Sequence, residues 1–351
     1  MVKCLCVEVK AFSVRNEILP AKINPSEQVV QVFLPYLNDG VLFNLAEIHL
    51  EKIEFSESDY ECDLLEVFDL RQNKSFKIYK TSSQEKSDYI EWKIIGGYQI
   101  PDSDFSLWHT EKNSGFLTVG SVVCTEMPGK EFLCWDNGNP AFSASGSKKW
   151  PTSRILLADG TVAAKLTTRK VVGIITSGNL FTGKIARGMS LKQLLSFTKK
   201  DGKTLIDWGI PFEARPKGFR VKFLYDGLGD ECSIVATLEK HSNYSQNDKK
   251  ILLREYVATA AYFGETDSKN QTNCPTRISE PDENGLRMLE VDFLYGKQPE
   301  NVNPMPKGVV QVGADETITH VNVIFASSAH GDYFKGVKNA TLIVKDFEFV
   351  Y

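Results

Sequence analysis

Short runs in which apolar and polar residues alternate are the main feature of residues 1–105. Residues 5–9 and 89–95 place an apolar side chain at every second position, and residues 30–34 do so until Pro35. Such alternation buries one face of a strand and leaves the other face in water. The pattern predicts a small β-sandwich of immunoglobulin-like size. The Cys…Trp…Cys spacing of true immunoglobulin domains is absent.

Residues 106–351 are predicted to form a second, larger all-β domain. The polar turn at 101–104 marks a boundary, and four of the five tryptophans lie in the stretch 106–220 that follows. Alternation returns at 219–225 and in the closing strands near 321–325 and 347–351. Strands separated by long loops predict a jelly-roll sandwich whose loops build a site.

Charge and cysteine content exclude several protein classes. The chain has 41 basic and 45 acidic residues and a net charge of −4, which argues against a nucleic-acid partner. No apolar run approaches the ~20 residues of a membrane span, so no transmembrane segment is predicted. The N-terminus shows no apolar signal region. Seven irregularly spaced cysteines indicate buried thiols, neither a disulfide framework nor a metal site.

No strong catalytic motif is present, so enzyme activity stays open. Glycoside hydrolysis needs two carboxylates roughly 5–9 Å apart. Glu290 and Asp292 share one face of a predicted strand, as do Asp346 and Glu348. Alternation alone produces such pairs, and a solvated polar face is therefore the favoured interpretation of both.

The closing segment combines residue types that suit sugar recognition. Asp332 lies between a glycine and two aromatic residues, after Ser327, Ser328 and His330. Hydroxyls, an imidazole and a carboxylate can hydrogen-bond sugar hydroxyls. A turn between two core strands explains the same residues, so both interpretations stay open.

Two further groups are candidates for ligand binding. Trp135, Asn137 and Trp150 could stack on a sugar ring and bind its hydroxyls, whereas core packing is the alternative for each tryptophan. Arg215, in a proline-rich loop, could hold a ligand through its planar guanidinium.

No cofactor is predicted. Asp226, Asp230 and Glu231 lie near two glycines and could bind calcium, but a plain acidic turn is the favoured interpretation.

Three separated motifs occur in an order that resembles one known family. They are Ser177-Gly178-Asn179-Leu180-Phe181-Thr182-Gly183, Gly209-Ile210-Pro211-Phe212-Glu213-Ala214-Arg215-Pro216, and the closing Phe325-Ala326-Ser327-Ser328 with Gly331-Asp332. Together they resemble the putative carbohydrate metabolism domain family of the Bacteroidetes over roughly residues 110–351. Residues 1–105 look like the immunoglobulin-like domain that often accompanies it.

The resemblance implies a jelly roll that holds an oligo- or polysaccharide in a pocket. It implies a cell-envelope location, in the periplasm or on the outer-membrane surface, commonly as a lipoprotein beside other glycan-utilisation proteins. By motif position it assigns the pocket to six residues: Asn179, Phe181, Arg215, Ser327, Ser328 and Asp332.

Three hypotheses about function follow. The first is carbohydrate binding without catalysis in the C-terminal pocket. The second is glycoside hydrolysis, with Asp332 and one other carboxylate, such as Asp136 or Asp230, as the pair. The third is a structural or adhesive surface protein in which both sandwiches act as spacers.

Overall fold

The structure is a computed structural model of the chain. It describes residues 7–82, 88–111, 115–120, 123–127, 130–143, 145–171, 173–188, 190, 192, 206–246, 249–265, 272–299 and 309–351. Side chains are not described at 123–127, 130–132, 244–246, 249–251 and 332.

The chain divides into two compact units. The first holds the residues up to Gln99 together with Glu213–Pro216 and Tyr351, and the second holds Ile100–Phe212 and Lys217–Val350. The proline-rich loop that contains Arg215 therefore belongs to the first unit. Within that unit the backbone amide of Glu213 donates to the Tyr98 hydroxyl over 2.7 Å.

The described residues of the first unit form ten strands. They are β1 (Val9–Val14), β2 (Leu19–Asn24), β3 (Val29–Phe33), β4 (Leu37–Asn38), β5 (Val41–Leu42), β6 (Ile48–Phe55), β7 (Tyr60–Cys62), β8 (Val67–Phe68), β9 (Lys74–Lys80) and β10 (Tyr89–Gly97). Three of them form the sheet β1-β6-β8 and five form the sheet β2-β3-β10-β9-β7, while β4 and β5 make a small hairpin. Val30, Trp92 and Ile94 are buried, as the alternation in both strands requires.

The described residues of the second unit form the remaining strands and little helix. They are β11 (Trp108–Thr110), β12 (Leu117–Val119), β13 (Val123–Met127), β14 (Lys130–Leu133), β15 (Trp135–Asn137), helix α1 (Asn139–Ser143), β16 (Thr152–Leu156), β17 (Val162–Thr167), β18 (Arg169–Val171), β19 (Ile174–Thr176), β20 (Asn179–Ile185), β21 (Ile206–Trp208), β22 (Ile210–Pro211), β23 (Gly218–Asp226), β24 (Cys232–Gln246), β25 (Lys249–Gly264), β26 (Thr276–Ile278), β27 (Arg287–Asp292), β28 (Leu294–Tyr295), β29 (Val310–Gln311), β30 (His320–Ala326), a 3₁₀ turn (Gly331–Tyr333) and β31 (Thr341–Val350).

Two large sheets make the second unit a sandwich. The nine-stranded sheet runs β15-β20-β30-β24-β25-β28, with β21, β22 and β29 paired at its sides, and the six-stranded sheet runs β16-β17-β31-β23-β27-β26. Their inner faces meet through aromatic contacts. The ring centroids of Phe325 and Phe347 lie 5.7 Å apart, and those of Phe223 and Tyr262 lie 5.5 Å apart. We call the opposite side of each sheet its outer face.

The all-β sandwich class predicted from the sequence is confirmed. Four cysteines, Cys62, Cys134, Cys232 and Cys274, are free thiols in the described part of the chain. No helix among the described residues is both long enough and apolar enough to cross a bilayer.

Candidate functional site

Trp135 lies in the core of the sandwich. Its side chain is 1 % exposed, and its ring contacts those of Phe105 and Phe325. The indole nitrogen donates to the carbonyl of Pro101 over 2.9 Å. Stacking on a sugar needs a ring face that is open to solvent, and the structure gives Trp135 the core-packing alternative instead.

The predicted asparagines hold neighbouring segments together. Asn137 is fully buried and donates from Nδ2 to the Leu117 carbonyl over 3.0 Å. Asn179 is half-buried, and its Oδ1 accepts the backbone N–H of Gly138 over 2.7 Å. The Asn179 bond fixes the start of helix α1 against strand β20, and the Asn137 bond ties strand β15 to strand β12, which accounts for the amide side chains at both positions.

Trp150 and Phe181 lie in two different aromatic clusters. Trp150 is half-buried and meets the Phe116 ring edge-on, with centroids 5.8 Å apart. Phe181 is fully buried on the outer face of the nine-stranded sheet, 5.1 Å from the ring of Trp208.

The two serines of the closing segment belong to a buried hydroxyl network. Ser327 Oγ lies 2.9 Å from Thr168 Oγ1 and accepts the N–H of Gly178 over 3.0 Å, while Ser328 Oγ donates to the Lys335 carbonyl over 3.0 Å. Both serines are buried. The network ties three loops together.

His330 is exposed at the end of this segment, and Asp332 lies within the 3₁₀ turn that follows. The Asp332 side chain lies outside the described part of the structure. The catalytic assignment of Asp332 therefore stays a prediction.

Both proposed partner carboxylates are engaged by the protein. Asp136 is buried and receives two hydrogen bonds from Arg187, at 2.8 and 3.0 Å. Asp230 accepts the backbone N–H groups of Glu231 and Val337, each over 2.9 Å. Within the described ranges no three metal-binding side chains group closely enough to hold an ion.

The E-x-D pair at 290–292 lies on the outer face of the six-stranded sheet. Arg277 Nη2 lies 2.5 Å from a Glu290 oxygen and 2.6 Å from an Asp292 oxygen. Arg220 forms a similar pair with Glu348. These side chains are exposed or partly exposed, so the solvated-face interpretation describes them.

A different polar cluster, which the sequence interpretation did not single out, lies on the outer face of the nine-stranded sheet. At its centre Glu239 of β24 is fully buried. Arg254 of β25 donates to it from Nε over 2.8 Å and from Nη2 over 2.7 Å. Thr237 Oγ1 and His241 Nε2 each donate to it over 2.6 Å. All carboxylate lone pairs thus face donors, and the buried charge is compensated.

A second imidazole completes this cluster from the neighbouring strand. His320 of β30 pairs in register with Glu239, and its ring stacks on that of His241 with centroids 3.9 Å apart. His320 Nδ1 lies 2.9 Å from the Thr319 hydroxyl. Three adjacent strands therefore bring two histidines, a glutamate and an arginine together.

Burial sets the protonation of these groups. Burial opposes ionisation of Glu239, but the hydrogen bonds from His241 and Arg254 outweigh it and lower its pKa to about 2. Burial and the neighbouring His241 lower the pKa of His320 to about 4. Burial also raises the pKa of Tyr256, the strand partner of Glu239, to about 12. At neutral pH the glutamate is charged, whereas His320 and the phenol are neutral.

Asn322 adds an unsatisfied acceptor to the same face. It is 4 % exposed and pairs in register with Thr237. Its buried Oδ1 has no hydrogen-bond partner among the described residues. A buried orphan acceptor is unusual in a folded protein and calls for a missing donor. We refer to Glu239, His241, Arg254, His320 and Asn322 as the outer-face cluster.

Trp208 provides an aromatic surface next to the outer-face cluster. It is half-buried and ends strand β21, followed by Gly209. A Cβ placed on Gly209 would lie 3.6 Å from Cε1 of His241 and 3.7 Å from Cβ of His320, so the backbone runs past the His241 ring and the base of the His320 side chain. Gly209 has a positive φ of 85°, which favours glycine at this turn.

One sequence signal points to this site. Thr237, Glu239 and His241 occupy every second position of strand β24, which places three polar side chains on one face. The pairing with Arg254 and His320 depends on strands far apart in the chain, which a single sequence does not reveal.

Comparison with known proteins identifies the family. The family described as "Putative carbohydrate metabolism domain" matches residues 68–350. A crystal structure described as a putative glycoside hydrolase from Bacteroides thetaiotaomicron is 14% identical, with 98% of this chain and 96% of that chain covered and a TM-score of 0.47. A second one, from Bacteroides vulgatus, is 19% identical, with 70% and 96% covered and a TM-score of 0.47. No curated protein matches the chain. Since the family match spans most of its length, the chain belongs to the putative carbohydrate metabolism domain family.

Proposed function

We propose that this protein binds carbohydrate on the outer face of the nine-stranded sheet, with Trp208 as the stacking surface and the outer-face cluster as the hydrogen-bonding surface. The observation that carries the proposal is the half-buried Trp208, whose neighbour Gly209 runs past the His241 ring of the outer-face cluster. Sugars need an apolar surface for their C–H groups and polar groups for their hydroxyls. Membership of a carbohydrate-metabolism family supports this choice of ligand.

Binding without hydrolysis fits the described carboxylates better than the two-carboxylate mechanism. Glu239 is ionised and saturated by Arg254, Thr237 and His241, so it has no proton to donate and no open lone pair. A general acid in a glycosidase needs a raised pKa. The low pKa of Glu239 suits a structural role in fixing the two neighbouring side chains.

By the family resemblance, we further propose that the protein works at the cell envelope, as an outer-membrane lipoprotein that holds glycan for neighbouring glycan-utilisation proteins. Membrane fractionation of the native organism tests this proposal. We expect the chain in the outer-membrane fraction and its exposure to protease on whole cells, and recovery in the cytosol would contradict it.

Binding is tested with the full chain on a glycan array, followed by calorimetric titration of the best ligand. Trp208→Ala removes the stacking surface, and we expect affinity to fall at least tenfold, or about 1.4 kcal/mol. Trp108→Ala is the matched control, since Trp108 is also half-buried in the second unit but donates its indole N–H to the Phe105 carbonyl. No binding to any glycan, or equal losses in both variants, would contradict the proposal.

A further inference from the structure

We infer that the first unit carries a second carbohydrate-binding site, in a groove lined by three asparagines. The groove has a volume of about 340 Å³ and is formed by residues between Arg15 and His49. We call it the first-unit groove. Its residues belong to the first unit and lie outside the family match at 68–350, whereas the outer-face cluster belongs to the second unit. The inference therefore adds a site to the proposed function and does not depend on it.

Backbone hydrogen bonds hold the walls of the first-unit groove in place. The Arg15 N–H donates to the His49 carbonyl over 2.9 Å, which extends the pairing of β1 with β6. At the end of the β4–β5 hairpin, the Phe43 N–H donates to the Tyr36 carbonyl over 2.9 Å. A ligand would meet a preformed site and would not have to order these segments, which favours affinity. Small-molecule sites range roughly from 300 to 1,000 Å³, so this groove suits a short segment of a glycan.

The β4–β5 hairpin presents an amide and an aliphatic side chain together. Asp39 and Gly40 at its turn have positive φ angles of 52° and 80°, as a type I′ turn requires. The turn pairs Asn38 with Val41 in register, so both side chains leave the same face of the hairpin. Both are exposed, and Val41 keeps 54% of its surface open to solvent. The groove thus offers an apolar contact for sugar C–H groups beside a hydrogen-bonding group.

The asparagine amides of the first-unit groove have unused hydrogen-bonding groups. Asn16 and Asn38 are exposed, and neither side chain bonds to another residue in the described part of the chain. Asn44 is also exposed, and its Oδ1 accepts the Ala46 N–H over 3.0 Å, while no described residue accepts a bond from its Nδ2. An amide offers donors and an acceptor, and a sugar hydroxyl also donates and accepts. Several accessible amides around one cavity therefore match the adjacent hydroxyls of a sugar.

The charged side chains of the first-unit groove favour hydroxyls over an anion. Glu47 is exposed and lines the groove, so its carboxylate can accept hydroxyl protons but repels a second carboxylate. Arg15 is exposed as well, with Nε 3.9 Å from a Glu51 oxygen. Its guanidinium has five N–H donors, which can bind the hydroxyl oxygens of an uncharged ligand. The ligand class that fits these groups is an uncharged sugar.

The inference is tested with the full chain on an array of neutral and acidic oligosaccharides, followed by calorimetric titration of the hits. We expect at least one neutral oligosaccharide to bind the double variant Arg15→Ala/Asn38→Ala tenfold or more weakly than the wild type. Asn73→Ala, at an exposed asparagine of the first unit that does not line the groove, is the matched control and should bind like the wild type. Melting temperatures should stay close to that of the wild type, because the substituted side chains are exposed.

Trp208→Ala separates this site from the one on the nine-stranded sheet. We expect the oligosaccharide that needs Arg15 and Asn38 to bind Trp208→Ala with wild-type affinity. If every hit tolerates Arg15→Ala/Asn38→Ala but loses affinity in Trp208→Ala, the groove inference is wrong and the proposed function stands. If affinity falls only in Arg15→Ala/Asn38→Ala, the groove inference stands and the proposed function is wrong. No binding to any oligosaccharide would overturn both.

The acidic oligosaccharides on the array decide the ligand class of the first-unit groove. We expect uronate oligosaccharides to bind the wild type no differently from Arg15→Ala/Asn38→Ala, because Glu47 disfavours a second carboxylate. A uronate that loses affinity in this variant, while all neutral oligosaccharides keep theirs, would overturn the inference and mark the groove as an anion site.

Discussion

The two outer faces of the larger sandwich carry the same kinds of charged residue in opposite environments. On the six-stranded sheet, Arg277 lies half exposed across Glu290 and Asp292. On the nine-stranded sheet, Glu239 is completely buried among Arg254 and His241. Exposed pairs contribute little to stability because water and salt screen them, whereas a buried charge depends on every partner it has.

The difference shows why a pair of carboxylates on one strand is a poor sign of a site. Alternation places Glu290 and Asp292 on an exposed face, where Arg277 pairs with both. The functional candidate has one carboxylate, surrounded by donors from neighbouring strands, and an amide oxygen of Asn322 that has no donor among the described residues. The nine-stranded sheet thus differs from the six-stranded sheet because its outer face buries polar groups, one of which has no hydrogen-bond partner among the described residues.

The largest difference in stability between the two faces is expected when one glutamate on each face is neutralised. Glu239→Gln leaves the charge of Arg254 without its carboxylate, and we expect a loss of about 3 kcal/mol in the free energy of unfolding. Glu290→Gln should change it by less than about 1 kcal/mol. Urea denaturation measures both, and similar losses in the two variants would contradict the contrast drawn between the faces.

The burial of His320 on the nine-stranded sheet should also make the stability of the protein depend on pH. The pKa of His320 is about 4 in the folded chain and about 6.5 in an unfolded one, so the unfolded state binds more protons between these values. Stability should therefore fall by roughly 3 kcal/mol as pH drops from 6.5 to 4. Glu239, with its pKa lowered to about 2, adds its loss only at lower pH, below about 4.3.

His320→Gln isolates this contribution. We expect its unfolding free energy to vary less between pH 6.5 and 4 than that of the wild type. His330→Gln, at an exposed histidine, should keep the wild-type profile. If the wild type and His320→Gln show parallel profiles, burial does not suppress the charge of His320.

The smallest change in the free energy of unfolding is expected from a substitution on the six-stranded sheet. Arg277→Ala removes two exposed ion pairs at once, and we expect less than about 1 kcal/mol, declining further in 0.5 M salt because screening already weakens such pairs. A loss of several kcal/mol would mean that this face, too, depends on its charges.

The alternation of Phe219, Val221 and Phe223 was enough to predict strands and an all-β sandwich, because period two is a local property. This alternation does not reveal which outer face of the sandwich is exposed to solvent and which is buried by other residues. Trp135 and Ser327 have suitable chemistry for a ligand, but sheet pairing buries both. Glu239 and His320 are 81 positions apart in sequence, and only the register between β24 and β30 brings them together.

The most direct test of the account is a crystal structure of the full chain with its best oligosaccharide ligand. The account predicts a sugar ring on Trp208 with at least one hydroxyl within about 3 Å, the usual hydrogen-bond distance, of a polar side-chain atom of His241, Arg254 or His320. A sugar bound instead in the loop of Ser328, His330 and Asp332, with the outer face of the nine-stranded sheet unoccupied, would contradict it.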